Sequence, residues 1–148
     1  MSSERKIIKF EITTPERTVL TDNIIKLTVP TKKGEITVLP DHIPIVASLM
    51  PGVLEITDEK ENLEVVAVSG GFLAVMPESK VVILADTAER APDIDAEKAE
   101  EARRVAEEER ERQKTEQFDT KRFADVNTRI SKELAREKAV GKWRKIKN

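Results

Sequence analysis

The sequence predicts an α+β chain. An antiparallel β-sandwich of about eight to ten short strands occupies residues 1–90, and an antiparallel helical hairpin occupies residues 91–148. Three observations carry this. Short β-branched runs recur roughly every ten residues up to Ala85, each bounded by turn formers, a spacing that favours a sandwich or barrel over a parallel sheet. From Pro92 the apolar period lengthens to that of a helix. The charge divides along the chain as well: residues 1–92 carry net −4, residues 93–119 net −5 and residues 120–148 net +7, hidden in a total of −2.

In the sandwich, Lys6–Thr14 alternates with Ile8, Phe10 and Ile12 on one face, a half-buried strand. After the turn Thr14–Arg17, Val19 and Leu20 begin a second strand that Asp22-Asn23 interrupts. Ile24–Pro30 then places Ile25, Leu27 and Val29 on one face. Thr31–Gly34 is a polar turn, and Glu35–Leu39 is a short strand closed by Pro40. Pro40 and Pro44 remove ladder donors, so Asp41–Ser48 reads as an edge or a crossing loop. Val53–Thr57 and Leu63–Val68 flank a hairpin loop. Val65–Ala91 is the stretch around which the rest is organised. Ser69-Gly70-Gly71 tolerates positive φ between two apolar runs, Pro77-Glu78-Ser79 turns into the run Val81–Ala85, and the stretch ends as a hinge onto the helices.

In the hairpin, Asp95 is placed to cap the first helix, with Lys98 where a full capping box has Glu. Ala96, Ala99, Ala102, Val105 and Ala106 follow at helical spacing, and the pattern runs to about Lys114. Thr115–Thr120 is the reversal. A second helix carries Phe123, Val126, Ile130 and Leu134 as a stripe and ends near Gly141. Small residues facing large ones let two helices approach closely. The interface is thin, so the hairpin is the less stable part and able to change its resting place.

Several functions are excluded or left bare. With no Cys there is no disulfide or thiolate chemistry. No run reaches the roughly 18 apolar residues of a membrane span, and MSSERKIIKF has neither signal core nor transit character, so the expectation is a soluble protein that stays where it is made. His42 is the lone histidine and lacks the partners a metal or catalytic role needs, which leaves a loop residue at a subunit contact. Ala67–Gly71 is a strand turn rather than a nucleophile elbow, and no Gly-rich phosphate loop exists, so the chain is not expected to hydrolyse ATP. The basic end has charge enough for nucleic acid, but Phe10, Phe72, Phe118, Phe123 and Trp143 form no stacking platform, and nucleic acid is not an expected partner.

Gly34–Pro40 (GEITVLP), His42–Ile45, Pro51–Leu54, Ala67–Val75 (AVSGGFLAV), Leu84–Ala91 and Asp93-Ile94-Asp95, in that order and spacing, resemble the epsilon subunit of F-type ATP synthase across nearly the whole chain. The resemblance implies a sandwich followed by a helical hairpin, in a non-catalytic rotor subunit. It implies as partners the gamma subunit, the ring of c subunits and the beta and alpha subunits of the catalytic head, with the membrane reached only through the complex. The hairpin would rest on the sandwich or extend into the head and block ATP hydrolysis. The absent transit segment then favours a bacterial source and the cytoplasmic side of the cell membrane.

In the family the extended hairpin meets an acidic loop of the beta subunits. That makes Lys121, Arg122, Arg129, Lys132 and Arg136 partner contacts by resemblance, with His42 at the other end; the plainer reading is a solvated helix with a frayed basic tail. Trp143 is either a partner contact or a cap on the hairpin stripe. Some bacterial members bind ATP in the folded hairpin. By that resemblance Asp95, Lys98 and Arg129 are the candidate nucleotide contacts, and no other cofactor is expected. Lys98 stands where those members have Arg, losing the planar fork, and Glu133 stands where another arginine would be.

Overall fold

A computed structural model describes residues 5–115 and 119–147. Nine strands come first: β1 (Ile8–Thr13), β2 (Thr18–Thr31), β3 (Gly34–Val38), β4 (Ile45–Leu49), β5 (Gly52–Asp58), β6 (Leu63–Val68), β7 (Gly71–Met76), β8 (Lys80–Ala85) and β9 (Ala88–Arg90). A single 3-10 turn, Ala91–Asp93, leads to α1 (Ala96–Thr115) and α2 (Thr120–Lys147). The expected reversal at Thr115–Thr120 has its middle, with Phe118, outside the described residues.

The strands run β1-β8-β7-β4-β2-β5-β6-β9 in space, with β3 against β2, and β1 also pairs with β2. That last pairing closes β1-β8-β7-β4-β2 into a ring, so the sheet wraps a core to which every strand contributes. Phe10, Ile12, Leu27, Leu54, Leu73 and Ile83 are each almost fully buried there. Burial of each such side chain stabilises by roughly 1.5–3 kcal/mol.

Alternation explains which strands read as continuously apolar. On β6, Val66 and Val68 enter the core, while Val65 and Ala67 point to the opposite face and are buried beneath the helices. A strand covered on both faces has no polar positions to spare.

The sequence-based reading differs from the fold at several points, each with a cause. The sandwich is not wholly antiparallel, because β1 runs parallel to β8, Phe10 opposite Val81. Not every strand is short either: β2 passes straight through Asp22-Asn23, whose residues pair with Phe10 and Lys9 and keep their side chains in solvent. A register shift between Ile24 and Lys26 turns Ile24 inward and leaves Ile25 half-buried, so the inward set is Ile24, Leu27 and Val29. Asp41–Ser48, which Pro40 and Pro44 suggest is an edge or crossing loop, instead enters a strand, Ile45–Leu49, that pairs with β7 and has Pro44 just before it. Ala88–Arg90 adds a short strand on β6 where the sequence suggests only a hinge. At the Ser69–Gly71 turn the expectation of positive φ holds: Gly70 lies at +121° and Gly71 at +138°, and a Cβ on Gly71 would come within 2.1 Å of the Leu84 carbonyl oxygen.

In the hairpin, Ala99 and Ala106 are buried, but Ala102 and Val105 are exposed. The contact line follows Ala99, Arg103, Ala106 and Arg110, and residues 102 and 105 lie round the side. Val126 and Ile130 face Ala106 in a small apolar cluster, whereas Leu134 is exposed. Gly141 does not end α2. The helix runs on because Trp143 packs onto the cluster beneath it, which offsets the roughly 1 kcal/mol a mid-helix glycine costs.

Candidate functional site: an uncovered sheet face and a docked hairpin

Two surfaces of the sandwich carry apolar residues outside the core. The first is the outer face of β4, β7 and β8. Ser48 pairs with Phe72 and Phe72 with Leu84, and alongside them Val46 pairs with Ala74 and Ala74 with Val82. Cross-strand partners share a face, so these six tile one surface. Val46, Phe72 and Leu84 are 77, 55 and 53% exposed. The loop entering β4 adds Leu39 and Ile43, also exposed. A contiguous exposed apolar surface on a folded domain marks an interaction site.

His42 lies in that loop, half-buried, with its Nδ1 2.8 Å from the Ile43 carbonyl oxygen. Beside it the loop is tied to the β7–β8 turn. The Asp41 amide donates to Ser79 Oγ at 2.7 Å, Ser79 Oγ donates to Asp41 Oδ1 at 3.0 Å, and Lys6 Nζ lies 2.7 Å from Asp41 Oδ2. The Lys6 ammonium, and then the Ser79 hydroxyl, hold the Asp41 carboxyl below its ordinary range. Asp41, Glu78 and Ser79 all adopt positive φ (65°, 66° and 54°), a conformation that non-glycine residues keep only when their surroundings enforce it.

The second surface lies on β5, β6 and β9 and is covered. Val53, Val65 and Ala67, with Ala91 and Ile94, pack against Ala99, Ala139, Val140 and Trp143. Trp143 thus neither caps the hairpin stripe nor stands free: it is part of the joint between hairpin and sandwich. This cluster shares no residue with the core.

Ion pairs organise the hairpin at two levels. Within it, Arg103 Nε reaches Glu137 Oε2 at 2.8 Å, and Arg129 pairs with Glu109. Across to the sandwich, Arg136 Nε lies 3.1 Å from Glu89 Oε1 on β9, and Lys142 pairs with Glu55 on β5. Arg136 Nη1 also donates to Glu133 at 2.8 Å, which is how a carboxylate only 9% exposed is tolerated. Burial disfavours the Arg136 charge, but the Glu133 and Glu89 carboxylates outweigh it, and the guanidinium is held more firmly protonated than usual.

The remaining candidates fall as follows. Asp95 caps α1, its Oδ1 accepting the Lys98 amide at 3.1 Å. Lys98 and Arg129 line one open groove of about 390 Å³, but Glu101 and Glu133 line it too and Glu109 already holds Arg129. Two carboxylates against two cations do not suit a polyphosphate, so the donor set does not fit a nucleotide. Lys132 lines a polar pocket with Glu16, Arg17, Asp86 and Glu89. Lys121 and Arg122 sit in the first turn of α2, where they oppose the helix dipole, and Asp119 accepts their amides. Among the described residues no His, Cys, Asp or Glu cluster is placed to hold a metal ion, and no helix is long and apolar enough to cross a membrane.

Reading the sequence missed Glu55, Glu89 and the outer face of β7–β8. The signal for that face was present: Phe72–Val75 and Val81–Leu84 have no polar position, as expected of strands covered twice.

Residues 7–91 match the family model of the ATP synthase delta/epsilon chain β-sandwich domain. The ATP synthase epsilon chain of Chloroflexus aggregans is 48% identical over 99 residues, 67% of this chain and 70% of that one. That of Pelotomaculum thermopropionicum is 45% identical over 103 residues, 70% of this chain and 75% of that one. A chain in the cryo-EM structure of the Euglena gracilis mitochondrial ATP synthase superposes with a TM-score of 0.75 and 26% identity, covering 95% of this chain and 87% of its own. The fold alone is shared with a chain of the central stalk and c-ring of the Tetrahymena thermophila mitochondrial ATP synthase, with a TM-score of 0.59 and 16% identity. A family match over more than half the residues, on the strands that build the two surfaces, makes this chain a member of the ATP synthase delta/epsilon chain family.

Proposed function

We propose that this chain is a non-catalytic central-stalk subunit of an ATP synthase, with a sandwich that docks on the rotor and a hairpin that restrains ATP hydrolysis. Its partners are the gamma subunit, the ring of c subunits and, through the hairpin, the catalytic head. The ring holds it at the cytoplasmic face of a bacterial cell membrane. The uncovered face of β4, β7 and β8 is the surface for gamma, and the His42 loop, braced by Asp41, Ser79 and Lys6, is a second contact.

One observation carries the reading: the hairpin is docked outside the core through its own small apolar cluster and two ion pairs. It therefore lifts away without opening the sandwich. Once lifted, Arg136 loses its sandwich carboxylate and joins Lys121, Arg122 and Lys132 as cations open to an acidic partner, while Arg129 stays with Glu109 inside the hairpin. Deleting residues 93–148 in the assembled enzyme is expected to leave coupling intact and raise ATP hydrolysis. Unchanged hydrolysis overturns the inhibitory half. A hairpin held down by nucleotide is not favoured, because the groove holding Lys98 and Arg129 also presents Glu101 and Glu133.

A further inference from the structure

The hairpin's seat has a charge pattern of its own. Glu55 alternates with Leu54 and Ile56 and so shares the outer face of β5 with Val53; Glu89 is the register partner of Ala67. With Val53 paired to Ala67 and Glu55 to Val65, the surface reads as an apolar patch with a carboxylate at either side. The facing surface of α2 is the complement. Arg136 and Lys142, six residues and about 9 Å apart along the axis, bracket Ala139 and Val140. Both carboxylates and both cations are only 20 to 32% exposed, so water screens them less than it does the Lys6–Asp41 pair.

We propose that Glu55 and Glu89 form an electrostatic latch that occupies Arg136 and Lys142 while the hairpin is down, standing in for the acidic partner those cations would otherwise meet. The same two cations cannot serve both surfaces, so closing on the sandwich and docking elsewhere exclude each other. This rests on the proposed role of the hairpin but concerns a different contact. The two cross-hairpin pairs, Arg103 with Glu137 and Arg129 with Glu109, join residues that move together, so they keep the helices paired in either position. The two sandwich pairs are the ones that break on release. Release is then governed by ionic strength and by competing carboxylates, with no nucleotide required.

The chain has no Cys, which makes thiol labelling a clean test. Val140→Cys, buried against the sandwich, reports lifting of the hairpin, and Val126→Cys, buried between the helices, reports their separation. In the full-length Val140→Cys chain, Glu55→Gln with Glu89→Gln is expected to raise the labelling rate about tenfold, since a partly exposed ion pair shifts such an equilibrium by roughly two- to fivefold. Raising salt to about 1 M, where screening acts within ~3 Å, has the same direction of effect on the parent and little on the double variant. Glu109→Gln leaves the Val140→Cys rate within about twofold, and the sandwich substitutions leave the Val126→Cys rate likewise. A double variant that labels at the parent's rate overturns the latch. So does an equal rise at Val126→Cys, which reports loss of the hairpin itself. In the assembled enzyme, raised labelling with unchanged hydrolysis upholds the latch and removes the inhibitory reading.

Discussion

Asp41 shows how one residue can brace a contact loop. Its backbone sits at a positive φ, its amide and carboxylate both bind Ser79, and Lys6 holds it from the side. Its carboxyl titrates below the ordinary value, so the bracing is complete above the usual carboxylate range and is lost as pH falls through that lowered value. Asp41→Asn should therefore flatten the part of the stability loss that develops below about pH 4; denaturant melts at acid and neutral pH check it. The effect is small, because the pair is exposed. None of this was legible from DHIPIVAS, since the partners come from residues 6 and 79. Ile24 and Ile25 make the same point: two adjacent isoleucines satisfy either register, and only the bulge opposite β5 decides which one turns inward.

At the scale of elements, the strands that turn residues punctuate were legible in the sequence, β4, β9 and the full length of β2 were not, and nor was helix facing. β6, β7 and β8 were legible because their apolar runs are short and punctuated by Gly-Gly and Pro-Glu-Ser. Their second faces have different fates. That of β6 is covered by α2, and that of β7–β8 stays open. Phe72→Asp on the open face should therefore leave stability within about 0.5 kcal/mol, as for most surface substitutions, yet sharply weaken capture by gamma. Capture at the parent's level would remove that face as the docking surface. The helices were harder to orient because α2 serves two neighbours. Val126 and Ile130 turn to α1 and Ala139 to the sandwich, so no single stripe describes it. Leu134 fits the stripe arithmetically and faces neither. The cap at Asp95 was legible because capping is a local interaction.

For the molecule as a whole, strands giving way to helices followed from the change of period at Pro92, and the change of charge near Thr120 falls between the two helices. Where the hairpin rests did not follow, because Val53, Val65 and Ala67 look like any core residues until the register assigns them outward. Their position has a consequence for the isolated sandwich. Removing residues 93–148 uncovers those three in addition to the open β7–β8 face, leaving the body with two exposed apolar surfaces. The shortened chain should self-associate where the full chain does not, as sedimentation at increasing concentration would show; a monomer at all concentrations contradicts it.

The parallel seam between β1 and β8 also sets an order of birth. β2 can pair with one edge of β1, Lys9 opposite Asn23, but the other edge stays bare until Lys80 has been made. Ring closure is thus a late, long-range event, slow by the standards of local contacts. The two rods, whose contacts with each other are nearer in sequence, are made after the strand that closes the ring.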